Sequence, residues 1–322
     1  MLKLVLMPPL DDRRRNWLPR LRESLPDFEV VAPETESDAK QEVSDADAAY
    51  GVVPLDALKT SNKLLWIQSA QAAPPAGYYY MELIDHPVVV CNPRGVFSDH
   101  IGQHIMMYVL GLARGLPYFT DAQRNRRWDK AARKHKPVDL SEATVLIVGV
   151  GGIGSEAARL CSAFGMSVIG VDGRWEQDPP DYVERHEPDE LDSLLPSADF
   201  VIVTTPHTPQ TEGMWHKVRF GLMKPTSYFI NIGRGMTTRI DDLAEAVETG
   251  VIAGCGLDVY EVEPLPEDHK LWTLENAILT PHIAIQDADN VSDRMFDLLV
   301  ANARRFAKGE DLENVVDKSI WF

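Results

Sequence analysis

Short apolar runs alternate with amphipathic stretches along most of this chain. In the first part, runs of strand length fall at Leu2–Met7, Phe28–Val31, Ala48–Val53, Leu64–Gln68 and Val88–Cys91, with helical patterns between them, as at Asn16 to Leu25. Strands separated by helices argue for an α/β unit. A longer amphipathic segment, Ser98 to Leu116, carries Ile101, Ile105, Met106, Val109, Leu110 and Leu112 and reads as a connecting helix. Residues 119–137 are polar and basic around an isolated Trp128, which predicts a loop or an oligomer arm. The alternation then resumes. Thr144–Val148, Met166–Val171, Ser197–Val203, Ser227–Ile232, Ile252–Val259 and Ala277–Thr280 read as buried strands, Ile240–Glu248 as a helix between two of them, and Asp287–Lys308 as a second long helix. Two long helices bracketing the second series predict that the chain leaves one domain, builds another and returns. The expected boundaries are 1–97 with 287–322, and 98–286.

One polar turn interrupts this pattern with a recognisable spacing. Gly149-Val150-Gly151-Gly152-Ile153-Gly154 fits G-x-G-x-x-G between the strand Thr144–Val148 and a helical stretch bearing Ala157, Ala158, Leu160 and Cys161. The next strand closes on Asp172, eighteen residues after Gly154. Strand, glycine turn, helix, strand and acid in this order describe a dinucleotide site. Gly149 permits the tight turn, Gly151 lets backbone approach a pyrophosphate, and Gly154 lets the helix pack close to the strand. The chain reads as helix from Ile153, and the open helix N-terminus beside Gly152 stabilises phosphate charge. Asp172 can accept from a ribose diol and repels a 2′-phosphate, which favours NAD; Arg174 nearby can hold a phosphate and keeps NADP in view. A glycine-rich turn without a ligand is the blander alternative.

Three side chains at later strand ends could do chemistry. Arg234 lies between glycines in Asn231-Ile232-Gly233-Arg234-Gly235, and its guanidinium fork suits a carboxylate. Glu263 stands before Pro264, and His282 follows the strand Ala277–Thr280. A carboxylate partner favours an imidazolium and makes a histidine an effective acid or base. A lone histidine is more often structural, and Asp258 and Glu261 compete with Glu263 for the partner role.

Composition narrows the classes. The 322 residues suit about two domains. A net charge of −17 argues against a nucleic-acid surface, and the basic runs Arg13-Arg14-Arg15 and Arg124 to Lys136 read as solvated faces. The cysteines, Cys91, Cys161 and Cys255, form no C-x-x-C pair or His–Cys cluster, so no metal site or disulfide scaffold is expected. Buried thiols and a first strand in place of a signal segment point to the cytoplasm, and no apolar run is long enough to span a membrane.

The motifs together resemble the D-isomer-specific 2-hydroxyacid dehydrogenases. The carrying segments are Val148 to Gly154, Thr205-Pro206-His207-Thr208-Pro209-Gln210-Thr211, Asn231 to Gly235, Gly256 to Pro264 and Thr280-Pro281-His282-Ile283. The resemblance implies a Rossmann-type doubly wound parallel sheet domain inserted into a flavodoxin-like α/β substrate domain. It implies that Arg234 holds the substrate carboxylate, that His282 is the acid–base residue touching both substrate and cofactor, and that Glu263 is its partner. Asp258 would contact the nicotinamide carboxamide. Thr205, Pro206 and Thr211 would line the adenine and phosphate side, and Ile232 and Gly233 the nicotinamide side. The backbone amides of Ala72 and Ala73 would bind substrate carboxylate. Here the chain departs from the family, which usually has glycine at Ala73; Pro74-Pro75, Tyr78-Tyr79-Tyr80 and Gln103 are further departures.

The implied reaction is hydride transfer from NAD(P)H to a 2-oxo acid such as glyoxylate or hydroxypyruvate, with closure between domains excluding water and a homodimer formed through the nucleotide domain. An NAD-sensing corepressor-like interaction protein and a short phosphoglycerate dehydrogenase are the alternatives. The chain's end at Phe322 argues against the long phosphoglycerate enzymes with their added regulatory domains.

Overall fold

The computed structural model describes residues 1–72, 77–128, 130, 136–175, 178–285 and 289–321. The chain divides into two compact units, Met1–Val96 with Asp287–Phe322, and Phe97–Gln286.

The first unit is built on five parallel strands, β1 (Leu2–Leu6), β2 (Phe28–Val31), β3 (Ala48–Tyr50), β4 (Trp66–Gln68) and β5 (Val89–Cys91), in the order β2-β1-β3-β4-β5. That is the flavodoxin-like order. Successive side chains point to opposite faces, so each strand feeds two cores. Leu4, Leu6, Ala48, Tyr50 and Trp66 pack with Trp17 and Leu21 of α1 (Trp17–Ser24) and with Phe296, Leu299 and Ala303 of the C-terminal helix Asp289–Lys308. Val5, Met7, Ala49, Ile67 and Val90 pack on the other face with Ala39 and Val43 of α2 (Glu36–Val43) and Ala57 and Leu58 of α3 (Leu55–Thr60). The returning segment thus completes the core of the unit that the N-terminus begins.

The second unit opens with α4 (Ser98–Ala113) and α5 (Leu116–Arg124). The expected loop or arm over 119–137 is therefore helical in its first part: Pro117 sits in the first turn and Ala122 is buried. Trp128 is exposed. Seven parallel strands follow: β6 (Thr144–Val148), β7 (Ser167–Val171), β8 (Val183–His186), β9 (Phe200–Val203), β10 (Tyr228–Asn231), β11 (Gly254–Leu257) and β12 (Ala277–Leu279). Their order, β12-β11-β10-β9-β6-β7-β8, is the doubly wound one with its switch between β6 and β9. Helix α6 (Gly152–Ala163) follows β6, and α7 (Ile240–Glu248) follows β10. Strand β8 escaped the sequence pattern because it is an edge strand with Glu184 and Arg185 exposed. The run expected as strand from Ser197 is a 3-10 turn to Ser197, and pairing starts at Phe200.

Helix α4 belongs to this unit. Gly102 faces Glu156 and Leu160 of α6, and Gly111 faces Ile278 of β12. Gly256 of β11 makes room for Tyr108, since a Cβ there would stand 2.7 Å from the ring. Cys91, Cys161 and Cys255 are free and buried, and burial pushes each thiol up to about 12. Among the described residues no helix is long and apolar enough to cross a membrane.

Candidate active site

In doubly wound sheets ligands bind beyond the carboxyl ends of the strands, at the switch point. The turn after β6 is made for this. Gly149 has φ +95°, and a Cβ there would stand 2.9 Å from Thr204 Oγ1. A Cβ on Gly154 would overlap the Gly149 carbonyl oxygen, so the first turn of α6 lies directly against the strand end. A Cβ on Gly151 would meet nothing within 4 Å. Gly151 therefore borders open space beside the N-terminus of α6. By helix geometry the first-turn amides of α6, including those of Gly152 and Ile153, lack partners within the helix and suit an anion.

Asp172 stands at the end of β7. Its Oδ2 accepts from the Val150 amide at 2.5 Å and its Oδ1 from the Arg174 amide at 2.7 Å. The acid therefore fixes the glycine turn from the end of β7. Beyond β9, Thr205 Oγ1 is buried without a protein partner. A buried hydroxyl costs stability unless something satisfies it, and a polar ligand does so. Thr211 Oγ1 donates to the Pro206 carbonyl (2.7 Å) and accepts from the Thr208 amide (2.8 Å), which shapes the turn after β9. The open glycine, the helix end, the acid and the orphan hydroxyl fit a dinucleotide.

The loop after β10 carries Arg234, and two glycines set its path. A Cβ on Gly233 would overlap the Thr205 carbonyl, and one on Gly235 the Tyr260 carbonyl. The loop is thus wedged between the ends of β9 and β11. Buried Asn231 ties it from beneath: its Oδ1 accepts from the Gly233 amide (3.0 Å), and its Nδ2 donates to the Arg234 carbonyl (3.2 Å) and Thr238 Oγ1 (2.9 Å). Arg234 Nη1 donates to the Gly233 carbonyl at 2.7 Å. Burial pulls the guanidinium below its usual value, and the nearby charge of Glu263 opposes that pull.

The three competing acids separate cleanly. Glu261 accepts from Arg239 Nη1 (3.0 Å) and from the Ile240 amide at the start of α7 (3.2 Å). Asp258, 1% exposed, accepts from the Ile283 amide (2.9 Å), the Ala284 amide (3.1 Å) and Thr280 Oγ1 (2.5 Å). Glu263 meets the histidine: its Oε2 lies 2.9 Å from His282 Nδ1, while its Oε1 accepts from the Tyr260 amide at 3.0 Å. With Nδ1 facing a carboxylate, the ring keeps Nε2 for exchange with a substrate. His282 has φ +55°, in the left-handed region that costs a non-glycine residue about 1–3 kcal/mol and recurs at functional sites.

In the first unit Asn92 Nδ2 donates to the Ala72 carbonyl at 2.8 Å and Ser69 Oγ to the Gln71 carbonyl at 2.9 Å, so the start of the candidate carboxylate loop is tied down. Ala73, Pro74 and Pro75 lie outside the described residues. Tyr78 and Tyr80 are anchors of this unit's core, donating to the Gly51 and Val53 carbonyls at 3.2 and 3.0 Å. Gln103 is exposed.

The sequence motifs left out Asn231 and Thr280 as organising groups. Both carry the same signal: a polar residue that ends, or directly follows, an apolar strand, where its side chain can reach neighbouring loops.

A model of the family described as "D-isomer specific 2-hydroxyacid dehydrogenase, NAD binding domain" matches residues 106–284. A glyoxylate reductase of Thermofilum pendens is 31% identical over 235 residues, 72% of this chain and 69% of that one. A probable 2-ketogluconate reductase of Dictyostelium discoideum is 33% identical over 246 residues, covering 76% and 73%. A solved D-isomer specific 2-hydroxyacid dehydrogenase from Xanthobacter autotrophicus Py2, in complex with NADPH and MES, superposes with a TM-score of 0.85 at 26% identity over 98% of both chains. The chain belongs to the D-isomer specific 2-hydroxyacid dehydrogenase family. It is an NAD(P)-dependent oxidoreductase acting on small 2-oxo or 2-hydroxy acids.

Proposed function

We propose that this protein reduces a small 2-oxo acid, of the glyoxylate or hydroxypyruvate type, to the D-2-hydroxy acid, with Arg234, Glu263 and His282 carrying the chemistry. The reading rests on one observation above others: His282 and Glu263 meet at 2.9 Å in the carboxyl-end loops of the sheet that also carries Arg234. Relatives named for glyoxylate and 2-ketogluconate reduction support the substrate class.

Bound at the glycine turn, the nicotinamide dinucleotide supplies the hydride. Gly149, Gly151, Gly152, Ile153 and Gly154 would hold its pyrophosphate, with Thr205, Pro206 and Thr211 lining the adenine and phosphate side and Ile232 and Gly233 the nicotinamide side. Arg234 receives the substrate carboxylate through its fork and stabilises charge developing on the carbonyl oxygen. His282 Nε2 would give its proton to the carbonyl oxygen, and hydride at the carbon with proton at the oxygen would make the hydroxy acid. Glu263 holds the ring through Nδ1 and stabilises the imidazolium before transfer. Asp258 orders the backbone beyond His282 and would be the contact of the carboxamide. The nucleotide-binding unit also carries the homodimer interface, and a monomer by light scattering would contradict that.

Asp172 sets the cofactor preference to NADH over NADPH, with Arg174 reducing the margin. Steady-state kinetics with glyoxylate, hydroxypyruvate and bulkier 2-oxo acids, each with NADH and NADPH, tests both statements. Turnover should be fastest with a small acid and NADH. NADH binding without turnover of any 2-oxo acid would favour a sensing role and overturn the reading. Equal kcat/KM for the two cofactors would overturn the Asp172 assignment.

A further inference from the structure

His282 adopts a backbone conformation that its own residue type disfavours, and the described hydrogen bonds point to what holds it there. Its amide donates to the Thr280 carbonyl at 3.1 Å, and the next two amides, of Ile283 and Ala284, donate to Asp258. Asp258 is held in turn by Thr280 Oγ1. Behind Thr280 lies α4: Tyr108 Oη is 2.5 Å from Thr280 Oγ1, and His104 Nε2 is 3.0 Å from Thr280 Oγ1 and 3.1 Å from Tyr108 Oη.

Proton counting orients this cluster. A carboxylate only accepts, so the Thr280 hydroxyl proton points to Asp258. Thr280 Oγ1 then accepts from Tyr108, whose single proton is thereby used. Neither hydroxyl has a proton left for His104, so His104 Nε2 must itself carry one and donate. The donations converge on Asp258, from His104 and Tyr108 through Thr280 on one side and from the Ile283 and Ala284 amides of the loop after His282 on the other. Tyr108 is fully buried, and Gly256 provides the space for its ring. Burial lowers the His104 pKa against the opposing charge of Asp258, in keeping with a neutral ring of fixed tautomer.

We propose that His104, Tyr108 and Thr280 are positioning residues: a directed hydrogen-bond chain that orders Asp258 and thereby locks the left-handed turn presenting His282. The proposal rests on His282 being the proton donor, and its test separates the two ideas. The variants are Thr280→Val, Thr280→Ser and Tyr108→Phe. Hydrogen exchange of the peptide containing Ile283 and Ala284, followed by mass spectrometry on ligand-free protein, reads the turn without reference to catalysis. Thermal melting and NADH titration check fold and cofactor binding.

Thr280→Val should speed exchange at that peptide and lower kcat for glyoxylate about tenfold or more at unchanged KM for NADH, because small misplacements of a reacting group are costly. Thr280→Ser, which keeps the hydroxyl, should restore both to near wild type. Tyr108→Phe should show the Val effects in weaker form. Folded Thr280→Val with wild-type exchange at 283–284 would overturn the proposal. So would equal loss in the Ser and Val variants. If exchange responds as expected but wild type reduces no 2-oxo acid, the chain stands and the functional reading falls.

Discussion

The glycine turn after β6 and the histidine turn after β12 both lie at carboxyl ends of one parallel sheet, yet they are held in opposite ways. The first works by absence. Gly154 must lack a side chain to lie against Gly149, Gly151 borders open space, and an acid, Asp172, pins the turn. The second works by presence. Buried Asp258, with Thr280 behind it, holds the backbone around His282, and Glu263 holds its ring. Binding a common dinucleotide needs room and amides, whereas transferring a proton needs one side chain held at one angle. The difference lies between shaping a surface and aiming a group.

Arg234→Ala should give the largest effect, lowering kcat/KM for a 2-oxo acid by about 10²–10³-fold, as loss of a group that stabilises developing charge does. An unchanged kcat/KM would remove Arg234 from the site. Next comes the split between two neighbouring acids. Glu263→Gln should reduce kcat on the order of tenfold or more, since the ring loses its charged partner. Glu261→Gln should leave kcat near wild type, because Glu261 faces Arg239 and the start of α7. Equal losses would mean that the pairing with His282 does not matter.

The glycines offer a contrast in kind. Gly154→Ala forces a Cβ into backbone and should destabilise the fold by about 1–3 kcal/mol or more in chemical denaturation. Gly151→Ala should melt like wild type, because its methyl meets no protein atom within 4 Å, and should bind NADH more weakly if the pyrophosphate fills that space. Reversed outcomes would reverse the assignment of the two positions.

The smallest effect concerns the sheet edge. His186 at the end of β8 lies 3.0 Å from both Glu184 and Glu190, and hydrogen bonding to Glu190, then to Glu184, raises its pKa above 6.5. A raised folded pKa contributes stability that is fully present below the unfolded value and fades as pH rises through the folded value. His186→Gln should therefore lower Tm slightly at pH 5.5 and leave it unchanged at pH 9. A Tm loss of equal size at both would show that the charge plays no part.

The same contrast explains what the sequence disclosed. Strand β6, the glycine turn and Asp172 lie within about thirty positions of one another, and each follows from a local rule, so the turn and the acid that pins it were legible from spacing. The runs that became β1, β9 and β11 were legible too, although their ends were trimmed where pairing stops. The identity of the histidine's partner was not local: Asp258, Glu261 and Glu263 lie within six positions, and only the fold sends one to α7, one beneath the loop and one to the ring. His104 and Tyr108 stand more than 170 positions from Thr280, which they meet, and nothing in a linear pattern links them. Strand β8 and helix α5 were missed because exposed charge hid their periodicity.

The central claim is that His282 delivers the proton as the hydride arrives. A stopped-flow single turnover tests it most directly, mixing enzyme preloaded with NADH against saturating glyoxylate and following loss of nicotinamide absorbance. His282→Ala should slow this step by about 10²-fold or more while NADH affinity stays near wild type. A variant that oxidises NADH at the wild-type rate would contradict it.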